Sequence, residues 1–177
     1  MRRALDLLYS LSAALAALSL LGIFLIMMAQ VILREFAIQV PASDDISAYL
    51  CVATTFFALA HTFRRGELIR VGLLLERLPA GAQRIAEIVA LSIAAVALAY
   101  LLWWTTTFTY QSWEIEDVAQ GTVPIPLWIP QLSMVLGSAV FLVAVVDELA
   151  RVLRGERPTY VVLAEERLAR GDFSAEV

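Results

Sequence analysis

Four long stretches of this chain contain no Asp, Glu, Lys or Arg: Leu7–Leu33, Ile46–Phe63, Ile88–Trp113 and Val118–Val146. About 20 apolar residues cross the hydrocarbon core of a bilayer, and uncharged runs inside soluble domains are usually shorter. The basic residues between the stretches are sorted by side. The chain has no Lys. Twelve of its 13 Arg lie at the N-terminus (Arg2, Arg3), between the second and third stretches (Arg64, Arg65, Arg70, Arg77, Arg84) or after the fourth (Arg151, Arg154, Arg157, Arg167, Arg170). The other two connections share only Arg34. Loops rich in Arg and Lys stay in the cytoplasm. The pattern therefore predicts an all-α integral membrane protein of four transmembrane helices, with both ends cytoplasmic.

The expected spans are about 7–33, 46–63, 88–113 and 126–146, within one membrane domain covering 1–177. The first and third runs exceed a straight crossing, so these helices tilt or extend past the hydrocarbon. Composition agrees: 60% of residues are hydrophobic, 17% are charged and mean hydropathy is +0.78. Arg2 and Arg3 before an apolar run resemble a secretory signal, with Ala14-Leu15-Ala16 as a cleavage site. A signal's apolar core is only about 7–15 residues, whereas this run continues far beyond, so retention as a first span is expected.

The connections carry further signals. Between Arg34 and Asp45, Pro41 breaks the chain, and Ser43 is a candidate cap for the second span. Asp44 and Asp45 follow, where a helix N-terminus favours anions. Between the second and third spans, Leu68, Val71, Leu75 and Leu78 recur at helical spacing opposite Arg70 and Arg77, although Ile69 and Leu73 fall on the polar side. Residues 68–78 read either as an amphipathic helix in the cytoplasmic interface, which makes membrane lipid a partner, or as an ordinary helical loop. Trp103, Trp104, Tyr110 and Trp113 suit the outer interface. Pro124, Pro126 and Pro130 suggest an extended entry, with the fourth helix beginning near Pro126 or Pro130, because Pro fits a first turn and not an interior. The tail 155–177 is polar and expected in the cytoplasm.

Function classes fall away mainly by absence. The two outer connections hold Glu35, Asp44, Asp45, Glu114, Glu116 and Asp117 against Arg34, so that face is acidic. The inner face balances its Arg with acids, and no basic cluster stands free to hold nucleic acid. The acidic face reads either as a simple consequence of the topology rule or as a match for a basic patch on a partner. An autonomous ion-coupled transporter usually places ionisable groups or broken helices at the midplane, and these runs contain neither acid nor Arg. Gln30, Thr54, Thr55 and Gln131 are the polar candidates. His61 is the only histidine, so one chain cannot supply paired haem ligands or a metal site. It reads as a helix-end residue. Cys51 is alone and reads as packing. No phosphate loop or nucleophile–base pair appears, so no cofactor and no enzyme are expected. Small residues line faces at Ser10, Ala13, Ala14 and Ala17, at Ala86, Ala90 and Ala94, and at Ser133 and Gly137. Such faces permit close helix packing, either internally or against a partner.

Taken in order, these residues resemble the small membrane subunit (DctQ-like) of tripartite ATP-independent periplasmic (TRAP) transporters, over roughly Ala29 to Val145. Arg34 matches the basic residue closing the first span, and Asp44-Asp45 the acidic pair opening the second, followed by Tyr49. Gly66-Glu67-Leu68-Ile69-Arg70-Val71 matches a stretch where the family often reads Gly-x-His-Ile-x-Val, with Leu68 in place of the common His. The Trp often found before the acidic pair is absent. Ile125-Pro126-Leu127-Trp128-Ile129-Pro130, followed by Gly137, is the closest match.

The resemblance implies a non-catalytic scaffold subunit in a bacterial inner membrane. Its partners would be a large multi-span TRAP subunit carrying the substrate and sodium sites, and a periplasmic binding protein delivering an organic acid. Arg34, Asp44, Asp45, Pro126, Trp128, Pro130 and Gly137 are then candidate partner contacts. Two rival readings are the membrane anchor of an electron-transfer enzyme, and a small transporter working as a homodimer.

Overall fold

The computed structural model describes residues 2–65, 79–121 and 123–155. Four helices account for nearly all of them: α1 (Arg2–Glu35), α2 (Ser43–Arg65), α3 (Ala80–Glu114) and α4 (Trp128–Leu153). Each is long and apolar enough to cross a membrane. The proposed interfacial segment 68–78 and most of the tail lie outside the described residues.

α1, α2 and α3 outrun the uncharged stretches that announced them, while α4 begins inside its own and runs past its end. α1 has 34 residues and α3 has 35. At about 1.5 Å per residue each extends roughly 50 Å, well beyond the ~30 Å hydrocarbon core. The backbone keeps its helical hydrogen bonds into the polar region, so charge marks the limit of the lipid and not of the helix. α2 and α4 are shorter, with 23 and 26 residues.

The helices pack in the order α1–α2–α4–α3, with only a narrow contact between α1 and α4. α2 and α4 form the centre and run parallel. Gly137 of α4 lies against Phe56 of α2, and about a turn further along each helix Phe141 meets Phe63 with ring centroids 5.6 Å apart. α1 and α3 are flanks, and large apolar side chains on both are exposed, including Leu18, Leu21, Phe24, Ile93, Val96 and Trp103. In a bilayer these side chains meet lipid, so their exposure is not a defect of the fold.

The apolar core gathers at the Arg-rich end, from Tyr9, Ala60, Phe63, Leu91, Ala144, Val145 and Val152. There Arg84, near the start of α3, donates to the carbonyls of Val152 (3.2 Å) and Leu153 (3.1 Å). These belong to the last turn of α4, whose C-terminal carbonyls lack intrahelical partners and attract a cation. The chain then turns at Gly155, with φ +84.

One sequence expectation needs correction, and one open alternative is narrowed. Ser43 does not cap α2. Ala42 takes a left-handed φ of 57 and its carbonyl accepts the first helical bond, from Ile46 N–H at 2.9 Å. Ser43, one residue later, donates its hydroxyl back to the Val40 carbonyl at 3.2 Å. On α1 the buried face is Tyr9, Ser12 and Ala16, while Ser10, Ala14 and Ala17 are exposed. Ala13 is half-buried, so most of the small-residue face, but not all of it, is left unpacked within the chain. A ring, a hydroxyl and one small residue form the contact instead.

Candidate partner interface

Most of the candidate contact residues assemble at the acid-rich end. Arg34 lies exposed in the last turn of α1. Among the described residues it makes no ion pair with Asp44 or Asp45. Gln30, one turn earlier, takes that role through Nε2, which donates to Asp44 Oδ1 at 3.4 Å. The chain leaves α1 through Ala37 at φ 56, held by Ala37 N–H to the Arg34 carbonyl at 3.0 Å.

The connection from α3 to α4 folds back as a small hairpin. Val118 and Pro126 form an isolated antiparallel bridge. Ala119 N–H donates to the Ile125 carbonyl (2.8 Å) and Leu127 N–H to the Asp117 carbonyl (3.0 Å). Pro126 has no N–H to give, so its neighbours carry the ladder. The hairpin brings Gly121 against the Asp45 carboxylate, so closely that a Cβ at that position would collide with it. This contact joins the start of α2 to the α3–α4 connection, a link with no local sequence signal.

α4 begins at Trp128, between the two expected starting points. Pro130 is its third residue, within the first turn, where an N–H has no helical partner to lose. Trp128 and Pro130 are half-buried. Gly137 stands apart from this group, buried in the α2–α4 seam.

The polar groups inside the spans are mostly self-satisfied. Thr54, Thr55, Thr62, Thr105, Thr107 and Thr109 each donate to a carbonyl of their own helix. Gln131 is buried, and its Oε1 has no hydrogen-bond partner among the described residues. His61 is half-buried near the Arg-rich end of α2 and is not without a partner. Among the described residues, no three His, Cys, Asp or Glu come together as a metal site would require. What the geometry offers is packing faces, an α4 end closed by Arg84 and a folded acidic rim.

The family model for the DctQ component of tripartite ATP-independent periplasmic transporters matches residues 23–155. This chain belongs to the DctQ family. The match covers most of the length and includes the ends where Arg34, Asp44-Asp45 and the Pro-rich hairpin lie. No curated protein matches the chain. As a DctQ component it is a membrane part of a TRAP transporter and not a catalyst. The family also implies a large membrane subunit and a binding protein as the other parts of the system.

Proposed function

We propose that this DctQ chain is the fixed scaffold of a sodium-coupled TRAP transporter for organic acids. It would sit in a bacterial inner membrane, beside a large subunit that carries the substrate and the sodium ions. The observation that carries the reading is the chemistry of the spans. Six of their threonines are spent on their own backbone, and no acid or Arg interrupts the uncharged runs. A site for an organic anion and a cation needs ionisable or broken-helix groups at the midplane, which this chain does not bring. It brings two long flanking helices that widen the body held in the bilayer beside a moving neighbour.

Uptake by reconstituted large subunit and binding protein, with and without this chain, tests the role. Sodium-driven uptake is expected to be lost when the chain is omitted, and undiminished uptake would reject a required scaffold. The acid-rich end, with Arg34, Asp44, Asp45, Pro126, Trp128 and Pro130, is the proposed contact with the other subunits. Arg34 is exposed and makes no ion pair with Asp44 or Asp45, so its charge is available to a partner. Arg34→Ala is expected to weaken co-purification of the subunits and lower uptake, with substrate preference unchanged. Wild-type assembly and uptake would remove Arg34 from the interface.

A further inference from the structure

α1 packs on α2 along its length but reaches full burial only in its first half. Its buried residues are Tyr9, Ser12 and Ala16, and beyond Ala16 no residue of the helix is fully buried. Lipid tails are as apolar as leucine, so no hydrophobic drive presses a flank helix onto its neighbour. Close packing and polar contacts must hold it, and these concentrate at one level. The Arg64 guanidinium of α2 forms an ion pair with Asp6 and also lies 5.0 Å from the centroid of the Tyr9 ring. One turn deeper, the Ser12 hydroxyl donates to the Phe57 carbonyl at 2.5 Å. Tyr9 is 3% exposed and belongs to the apolar cluster with Ala60, Phe63, Val145 and Val152. Its hydroxyl finds no hydrogen-bond partner among the described residues, so the ring is the part that binds. Toward the acid-rich end the packing continues through half-buried Ile23, Ile26 and Leu33, with Gly22 against Leu50, and the polar tie there is the 3.4 Å hydrogen bond from Gln30 to Asp44.

We infer that Arg64 pins the Arg-rich end of α1 to α2, making α1 a flank helix fixed at one end and adjustable at the other. One guanidinium grips two residues of α1 spaced three apart, which lie on the same side of the helix. The cation meets a carboxylate at the edge of the site and a ring face inside it. The acid-rich half of α1 has only partly buried contacts, so it can change tilt without unmaking the core. The inference does not depend on the scaffold reading, because it concerns the chain alone.

Double electron–electron resonance on the full chain in lipid nanodiscs tests it. Cys51 is exposed and is first replaced by Ser. One label pair, at Leu8 and Leu153, reports the pinned end, and a second, at Ile32 and Ile129, reports the far end. The pinned-end distances are expected to be narrow and the far-end distances broad. Arg64→Ala and Asp6→Asn should each broaden the pinned-end distribution, Arg64→Lys should broaden it less, and Tyr9→Phe should leave it unchanged. Asp6→Asn leaves α2 intact, so it carries the test should Arg64→Ala fail to fold. An unchanged pinned-end distribution in both variants overturns the pin. A far end as narrow as the pinned end overturns the hinge. Broadening by Tyr9→Phe overturns the assignment to the ring.

Discussion

Replacing Gly137 by alanine is expected to destabilise the chain, and replacing it by leucine to separate its two central helices. A Cβ on Gly137 would stand 2.6 Å from Phe56 Cβ, 2.7 Å from the Phe56 carbonyl carbon and 2.8 Å from its oxygen. Two of those atoms are backbone, which cannot rotate away as a side-chain tip can. One extra methyl must therefore push α4 off α2 along their parallel seam, and overpacking of this kind costs about 1–3 kcal/mol. Leucine adds three more carbons at the same point. Two other glycines calibrate the effect. At Gly22 the Cβ would meet only the flexible Leu50 Cδ1, at 3.1 Å, so Gly22→Ala should cost less. At Gly81 nothing lies within 4 Å, so Gly81→Ala should be close to neutral. Thermal unfolding in detergent, followed by circular dichroism, should rank the alanine variants in that order. If Gly137→Ala were as stable as Gly81→Ala, the tight α2–α4 seam would be wrong.

The series also shows what the sequence could and could not convey. Charge-free runs announce four helices because a charge inside hydrocarbon is costly, and all four are present. Their ends are less legible, since a helix does not stop where the lipid does. α3 continues from Ile88 back to Ala80, and α1 reaches into the charged residues at both ends. Which small residue marks a seam is not legible at all. Gly137 and Ala90 look alike as members of small-residue faces, yet Gly137 is buried against a backbone while Ala90 is exposed. The difference lies in the order α1–α2–α4–α3, which no local pattern encodes. The hairpin illustrates the same limit. Its prolines were visible, but the meeting of Gly121 with Asp45 joins residues from two separate connections.

The polar ties show a further asymmetry. Arg64 and Arg84 appear in the sequence only as votes in a charge bias. In the folded chain Arg84 closes the end of α4 and Arg64 grips α1. Basic residues at one end of the bundle thus dock helices as well as setting the charge bias. The acid-rich end has a different composition and a different architecture, with left-handed residues at Ala37, Ala42 and Glu116 shaping its turns. The six acids there, against one Arg, leave it strongly anionic. A basic surface on a neighbouring subunit would be attracted to it and a second acidic surface repelled.

Cysteine accessibility should separate these two ends completely. In a background with Cys51 replaced by Ser, a membrane-impermeant thiol reagent added from the periplasmic side should modify cysteines at Gln39 and Glu116 and leave one at Arg84 untouched until the membrane is opened. The expectation follows from the sorting of twelve Arg to one side and one to the other, since each additional cytoplasmic Arg or Lys near a span opposes its translocation. The four helices alternate in direction, so Arg84 lies at the end of the bundle that holds the start of α1 and the end of α4, and Gln39 and Glu116 lie at the opposite end. Both outer positions lie on exposed connections, so the reagent is not blocked by burial. The contrast is all-or-none because a bilayer excludes a charged reagent. Modification at Arg84 from the periplasm, with Gln39 protected, would invert the orientation. The acid-rich end would then face the cytoplasm and could not meet a periplasmic partner.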